Sequence, residues 1–129
     1  MDGRIDTHRA LRVLVADNAD STRERLRLLL GDWGHVQAHV CSIAPARLLK
    51  LLRELKPDCL LIDPSGQGRR VHLAQLRAAA PRCLIIVLTH EDSVEFRAHC
   101  LASGADHVLD KVNEFERAIS LVGASTARE

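Results

Sequence analysis

Four apolar runs of strand length each end in a residue that can carry charge or donate a hydrogen bond. Leu11–Ala16 (LRVLVA) runs into Asp17 and Asn18, and residues 58–63 (DCLLID) end in Asp63. Residues 83–89 (CLIIVLT) end in Thr89, and the last apolar run, 105–111, carries Lys111. In a parallel sheet, ligands collect at the carboxyl ends of the strands. An acid cluster, a hydroxyl and an amine would then converge on one edge, a set suited to handling charge in a bound ligand. Singly, each has a plainer role, since a strand-end Asp commonly caps a helix or closes a turn. Four such residues, in order on four different strand ends, make the stronger signal.

The intervening segments have to place those strand ends side by side. Strand-length apolar runs alternate five times with segments of helical period, the signature of a parallel sheet flanked by helices. Ser21 and Glu24 form a capping-box pattern, which predicts a helix opening there and running to about Leu30. Leu26, Leu29, Leu30 and Trp33 are expected to face inward, with Arg23, Arg25 and Arg27 in water and Gly31 and Gly34 closing the helix. Residues 35–41 alternate, with Val36, Ala38 and Val40 on one face, which predicts an edge strand. Ser42 is expected to start the next helix, Pro45 to sit in its first turn, and Leu48, Leu51, Leu52 and Leu55 to form its stripe. Val71, Leu73, Leu76 and Ala80 suggest a short third helix, and residues 94–103 a fourth stopped by Gly104. Asn113 with Glu116 is read as the cap of a last helix reaching about Val122. Four scattered cysteines, Cys41, Cys59, Cys83 and Cys100, lack the close pairing of zinc or redox motifs and are expected to be reduced and mostly buried.

Composition narrows the partners. The chain has 129 residues, 47% of them hydrophobic and 27% charged, which suits one globular domain. A formal net charge of +1 gives no reason to expect nucleic acid or an anionic membrane. The apolar runs are too short to span a bilayer, and residues 1–10 lack the apolar core of a signal peptide, so a cytoplasmic protein is expected. With 2% aromatic residues, the chain offers little to stack a nucleobase or sandwich a flavin, which argues against a flavodoxin-like cofactor binder. Cys59 and Cys83 lie within or at the start of strands, away from the acid-bearing edge, so a cysteine nucleophile is disfavoured. His35, His39 and Cys41 would spread over about 20 Å of strand, too far for one ion. The stretch 65–68 (SGQG) lacks the lysine of a phosphate-binding loop, and Arg69 and Arg70 read as a solvated helix start.

From about Leu11 to Val122 the sequence resembles the receiver domains of bacterial response regulators. The matching segments are VLVADN (13–18), PDCLLID (57–63), LIIVLTH (84–90) and GADHVLDK (104–111). The resemblance implies an α/β, flavodoxin-like, doubly wound five-stranded parallel sheet, strand order 2-1-3-4-5, with helices on both faces. It places the domain at 11–124, with a flexible segment at 1–10 and a tail at 125–129. It also implies that Asp63 accepts a phosphoryl group from a histidine kinase or phosphotransfer protein. Asp17, Asn18, Asp63 and the carbonyl of Ser65 would hold Mg²⁺, while Thr89 and Lys111 read the phosphorylated state. Such a domain is a switch in a two-component phosphorelay and is not expected to be an enzyme.

Some positions depart from the family pattern. Asn18 stands where a second acid is usual, which predicts weak Mg²⁺ binding. Val108 replaces the aromatic switch residue, Val112 replaces the proline after the lysine, Pro64 directly follows the acceptor, Gln67 lies near a usual loop proline, and His90 is bulkier than the common small residue. The alternative is therefore a degenerate pseudo-receiver, a protein-binding scaffold independent of phosphorylation. With about 17 residues after Val112, one helix and a tail are expected there, so output is expected through protein contacts or a homodimer. The surface implied is the fourth helix, fifth strand and fifth helix, including His99, His107 and Phe115, with Phe96 expected in the core.

Overall fold

The computed structural model describes residues 9–65, 72–91 and 93–125. The chain alternates β1 (Leu11–Ala16), α1 (Asp20–Gly31), β2 (Val36–Cys41), α2 (Pro45–Leu55), β3 (Cys59–Ile62), α3 (Leu73–Ala79), β4 (Leu84–Thr89), α4 (Val94–Ala102), β5 (His107–Asp110) and α5 (Phe115–Gly123). The five strands are parallel and ordered β2-β1-β3-β4-β5, the expected doubly wound sheet with β2 at an edge.

Strand periodicity divides the core in two. Leu14, Ala16, Leu60, Ile62, Ile85 and Val87 point to one face and pack with Leu48 and Leu52 of α2, Leu73 and Leu76 of α3 and Cys100 of α4. Val13, Val15, Leu61, Ile86, Leu88 and Leu109 point to the other face, under Leu26 and Leu30 of α1 and Phe115, Ala118 and Val122 of α5. Phe96 packs against the first cluster, as expected. Each fully buried aliphatic side chain contributes about 1.5–3 kcal/mol of hydrophobic free energy. All four cysteines are free and buried. Burial pushes the Cys59 thiol up to about 11 and the Cys83 thiol up to about 12, so both stay protonated and unreactive at neutral pH.

Helix starts are where the sequence patterns fail. The box of Ser21 and Glu24 does not form: α1 begins at Asp20 after Ala19, with no side-chain cap, and Glu24 pairs with Arg27 one turn on. Asp17 Oδ1 accepts instead from Ala19 N–H at 2.8 Å, which fixes the turn that leads into the helix. Ser42 does not open α2, which starts at Pro45, where the missing N–H costs nothing. Asn113 and Glu116 do not cap α5; the helix starts at Phe115, and Asp110 Oδ1 accepts from Val112 and Asn113 N–H before it. Of the five described helices, only α4 has a capping side chain of the expected kind, Ser93 Oγ accepting from Phe96 N–H at 3.0 Å.

Three side chains face other than expected. Leu29 is 39% exposed rather than inward. Arg23 turns in to the Asp17 carbonyl at 2.6 Å, whereas Arg25 and Arg27 stay exposed, Arg25 lying over the Phe115 ring at 3.8 Å from its centroid and Arg27 pairing with Glu24. Phe115, expected on a docking surface, is buried beneath Arg25. Trp33 stacks on His35 with ring centroids 6.1 Å apart, and its indole fills the space beside Gly123, where an added Cβ would come within 3.2 Å. The expected features at Val71, Gln67, Arg69, Arg70, most of 1–10 and the tail beyond Ser125 lie outside the described residues.

At the amino ends of the strands, Arg77 of α3 ties three segments together. It donates to the carbonyls of Cys83 at 2.7 Å and Gly104 at 2.8 and 3.0 Å, and to Asp106 Oδ2 at 2.7 Å. Asp106 in turn accepts from Ile85 N–H at 2.8 Å. Gly104 has φ +114°, and a Cβ there would lie 2.8 Å from Arg77 Cβ, so both the backbone and the crowding require glycine.

Candidate functional site

The ladder carries its register into the site. Ala16 pairs with Ile62, Ile62 with Val87, and Thr89 with Asp110. Beyond the strand ends, Asp63 N–H bonds the Ala16 carbonyl at 3.1 Å and Lys111 N–H bonds the Thr89 carbonyl at 2.9 Å. Asp17, Asp63, Thr89 and Lys111 therefore sit on one rim with backbone positions set by the sheet. They are also the four buried polar or charged residues among those described.

Their side chains meet. Lys111 Nζ lies 2.7 Å from Asp63 Oδ2 and 2.7 Å from Asp17 Oδ2, with all three side chains less than 10% exposed. Burial pulls the lysine pKa down, but the hydrogen bonds it donates to Asp17 and Asp63, with their charges, outweigh it and hold the ammonium above its ordinary value. Ser65 joins the cluster through its hydroxyl, which donates a short bond to Asp63 Oδ1 and lies 3.3 Å from Thr89 Oγ1; its N–H also reaches Asp63 Oδ1 at 3.0 Å. The serine side chain thus bridges acid and threonine. From the sequence this residue was expected to offer only a carbonyl; a hydroxyl two residues past an acid, able to form a local turn, was the signal for the bridge. Thr89 Oγ1 accepts from Glu91 N–H at 3.1 Å, which fixes the loop after β4.

Asn18 is not drawn in. It is exposed, and its side-chain oxygen accepts from Ile43 N–H at 2.8 Å, tying the loop after β1 to the one after β2. Val108 is buried in the core, and its carbonyl accepts from Arg97 Nη1 at 2.6 Å, which fastens α4 to β5. Arg97 also approaches Glu114 at 3.8 Å, so α4, β5 and the start of α5 are linked by one side chain. Among the described residues, no group of three His, Cys, Asp or Glu is placed to hold a metal, which includes the trio His35, His39 and Cys41.

Fold and rim together define a class: a doubly wound α/β domain whose carboxyl edge presents two buried acids, a hydroxyl pair and a lysine. The model of the response regulator receiver domain matches residues 13–122, and the chain belongs to that family. It is 32% identical over 122 residues to the response regulator MprA of Mycobacterium ulcerans, and 31% identical over 121 residues to that of Mycobacterium leprae. Each alignment covers 92% of this chain, which spans about half the length of these relatives. Among solved structures, the response regulator domain of Thermotoga maritima CheB superposes with TM-score 0.73 at 21% identity, covering 89% of this chain and 92% of that one. A Burkholderia pseudomallei response regulator, bearing a phosphorylated aspartic acid, a calcium ion and citrate, superposes with TM-score 0.77 at 22% identity, covering 87% and 66%. Among the described residues no helix is long and apolar enough to cross a membrane.

Proposed function

We propose that this receiver domain accepts a phosphoryl group on Asp63 from a histidine kinase or phosphotransfer protein and transmits the change by protein contacts, as a cytoplasmic switch. The observation that carries the reading is the lysine ammonium shared between two buried carboxylates. A buried acid pair demands a cation, and the pocket is polar enough to exchange one cation for another. Its donor set fits Mg²⁺, which takes hard oxygens and keeps several waters, so Asp17, Asp63 and the Ser65 carbonyl would hold it. Asn18 can contribute only by releasing Ile43, in keeping with weak binding. When bound, the metal would offset the repulsion between the carboxylate and the incoming phosphoryl group.

With acetyl phosphate as donor, an Asp63 oxygen forms a bond to phosphorus while the bond to acetate breaks, and acetate leaves with the electron pair. Lys111 then pairs with a phosphoryl oxygen in place of the carboxylate. Ser65 must give up its bond to Asp63 Oδ1 or turn toward the new group, and Thr89 swings in to donate to it. That movement pulls on Glu91 and the start of α4. The switch therefore needs no aromatic at position 108.

The test is incubation with Mg²⁺ and acetyl phosphate followed by intact-mass measurement. A single phosphoryl adduct is expected on the native chain and none on Asp63→Asn. An unmodified native chain, or an adduct that survives the substitution, sinks the proposal. One observation favours the scaffold alternative: the Asn18 oxygen is already committed to Ile43. Asn18→Asp separates the two readings, since it should lower the Mg²⁺ concentration needed for the adduct, whereas a pure scaffold stays unmodified with either residue.

A further inference from the structure

At the end of the sheet opposite Asp63 lies a cleft of about 930 Å³. Leu52 of α2, Ala79 of α3 and Leu84 of β4 give it an apolar floor, and Arg12, Arg53, Lys56 and Arg82 stand around it. Two acids also line it, but both are engaged. Asp58 is held by Arg9 at 2.7 Å and by Arg12 N–H at 2.8 Å, and Asp106 is held by Arg77. By contrast, the side chains of Arg12, Arg53, Lys56 and Arg82 make no ion pair among the described residues. In a chain of net charge +1, four uncompensated cations around one cleft form a strong local field.

The surroundings select the kind of anion. In this topology the helices run antiparallel to the strands, so α2 and α3 present their carboxyl ends here, with Lys56 and Ala80 as their caps. Helix carboxyl ends carry partial negative charge, so an anion seated directly against them, as a compact phosphate would be, is disfavoured, whereas one held out at the rim cations is not. Among the described residues no aromatic side chain lines the cleft to stack a base. An extended chain suits it better: carboxylates on separate flexible side chains can each reach one rim cation, and apolar side chains between them can cover the floor.

We infer that this basic cleft docks an acidic segment of a partner protein, at a surface remote from the phosphoacceptor pocket. The probe is a fluorescein-labelled oligoglutamate followed by anisotropy. The native chain should bind it, with affinity falling as salt rises. Arg53→Glu with Arg82→Glu should weaken binding roughly tenfold or more, since like charges then face the peptide. The Asp63 adduct formed with acetyl phosphate should be unchanged in that variant, so this inference and the phosphoacceptor assignment fail separately. Amide shifts in the native chain, on adding the peptide, should centre on Arg53, Lys56 and Arg82, a readout that needs no variant. No binding, binding indifferent to the two substitutions, or shifts elsewhere would overturn the inference. So would displacement of the peptide by pyrophosphate more readily than by unlabelled oligoglutamate, which would mark a compact-anion site. Salt-sensitive self-association lost in the double variant would likewise replace the partner with a second copy.

Discussion

Lys111→Met should destabilise the folded domain by about 3 kcal/mol near neutral pH, because it leaves two buried carboxylates facing one another with no counter-charge. The substitution keeps much of the stem's apolar packing, so the loss reports charge and not a cavity. The sign of the pH dependence follows from the raised lysine pKa. Stability from a group whose pKa rises on folding is fully present below the unfolded value and is lost as pH climbs through the folded one. The native chain should therefore fall toward the variant only above the ordinary lysine value of 10.5. Mg²⁺ should restore the variant more than it stabilises the native chain, where metal and ammonium compete for the same oxygens. At a free concentration ten times its dissociation constant, Mg²⁺ binding would return about 1.4 kcal/mol. Urea melts with and without MgCl₂ measure all of this. A variant as stable as the native chain, or one indifferent to Mg²⁺, would contradict the view that the two acids require a cation.

Arg77→Ala should cost about 3 kcal/mol, the second large effect. Its fork satisfies the carbonyls of Cys83 and Gly104 and an acid that itself holds Ile85 N–H, so one deletion strands groups in three segments. The ion pair alone does not justify that figure, because Asp106 is 42% exposed and water screens it; the carbonyl bonds supply most of the effect. Arg77→Lys should recover less than half of the loss, since one ammonium cannot reproduce a planar fork. Denaturant midpoints decide the matter, and a lysine variant indistinguishable from the native chain would mean that the charge suffices. Phosphorylation of Asp63 in the folded fraction should persist, because the hub sits at the far ends of the strands.

How much of this was legible in the sequence differs by level. Strand positions were readable because buried parallel strands write themselves as aliphatic runs, and 83–89 was unmistakable. The rim residues could be named because Asp, Asp, Thr and Lys in chain order at four strand ends is a pattern that chance seldom produces. Helix starts could not be fixed to the residue. Ser21 with Glu24, and Asn113 with Glu116, satisfy one local pattern, yet equally local partners win: Glu24 goes to Arg27, and the backbone of Asn113 goes to Asp110. The inward face of α1 was misjudged at Leu29 because helical period alone does not say how wide a stripe is buried. Phe115 was misplaced for a related reason, since nothing local reveals that Arg25 of another helix covers it. The diversion of Asn18 to Ile43, 25 residues away, depends on loop geometry that spacing does not encode.

The single tryptophan of the chain leans against Gly123 at the last turn of α5 and stacks on the imidazole of His35. The molecule thus carries an unlabelled optical gauge set against the carboxyl end of α5. Any rearrangement that lifts the carboxyl end of α5 changes the polarity around the indole. If Asp63 is phosphorylated as proposed, emission from Trp33 should report, in real time and without a dye, whether the change reaches α5.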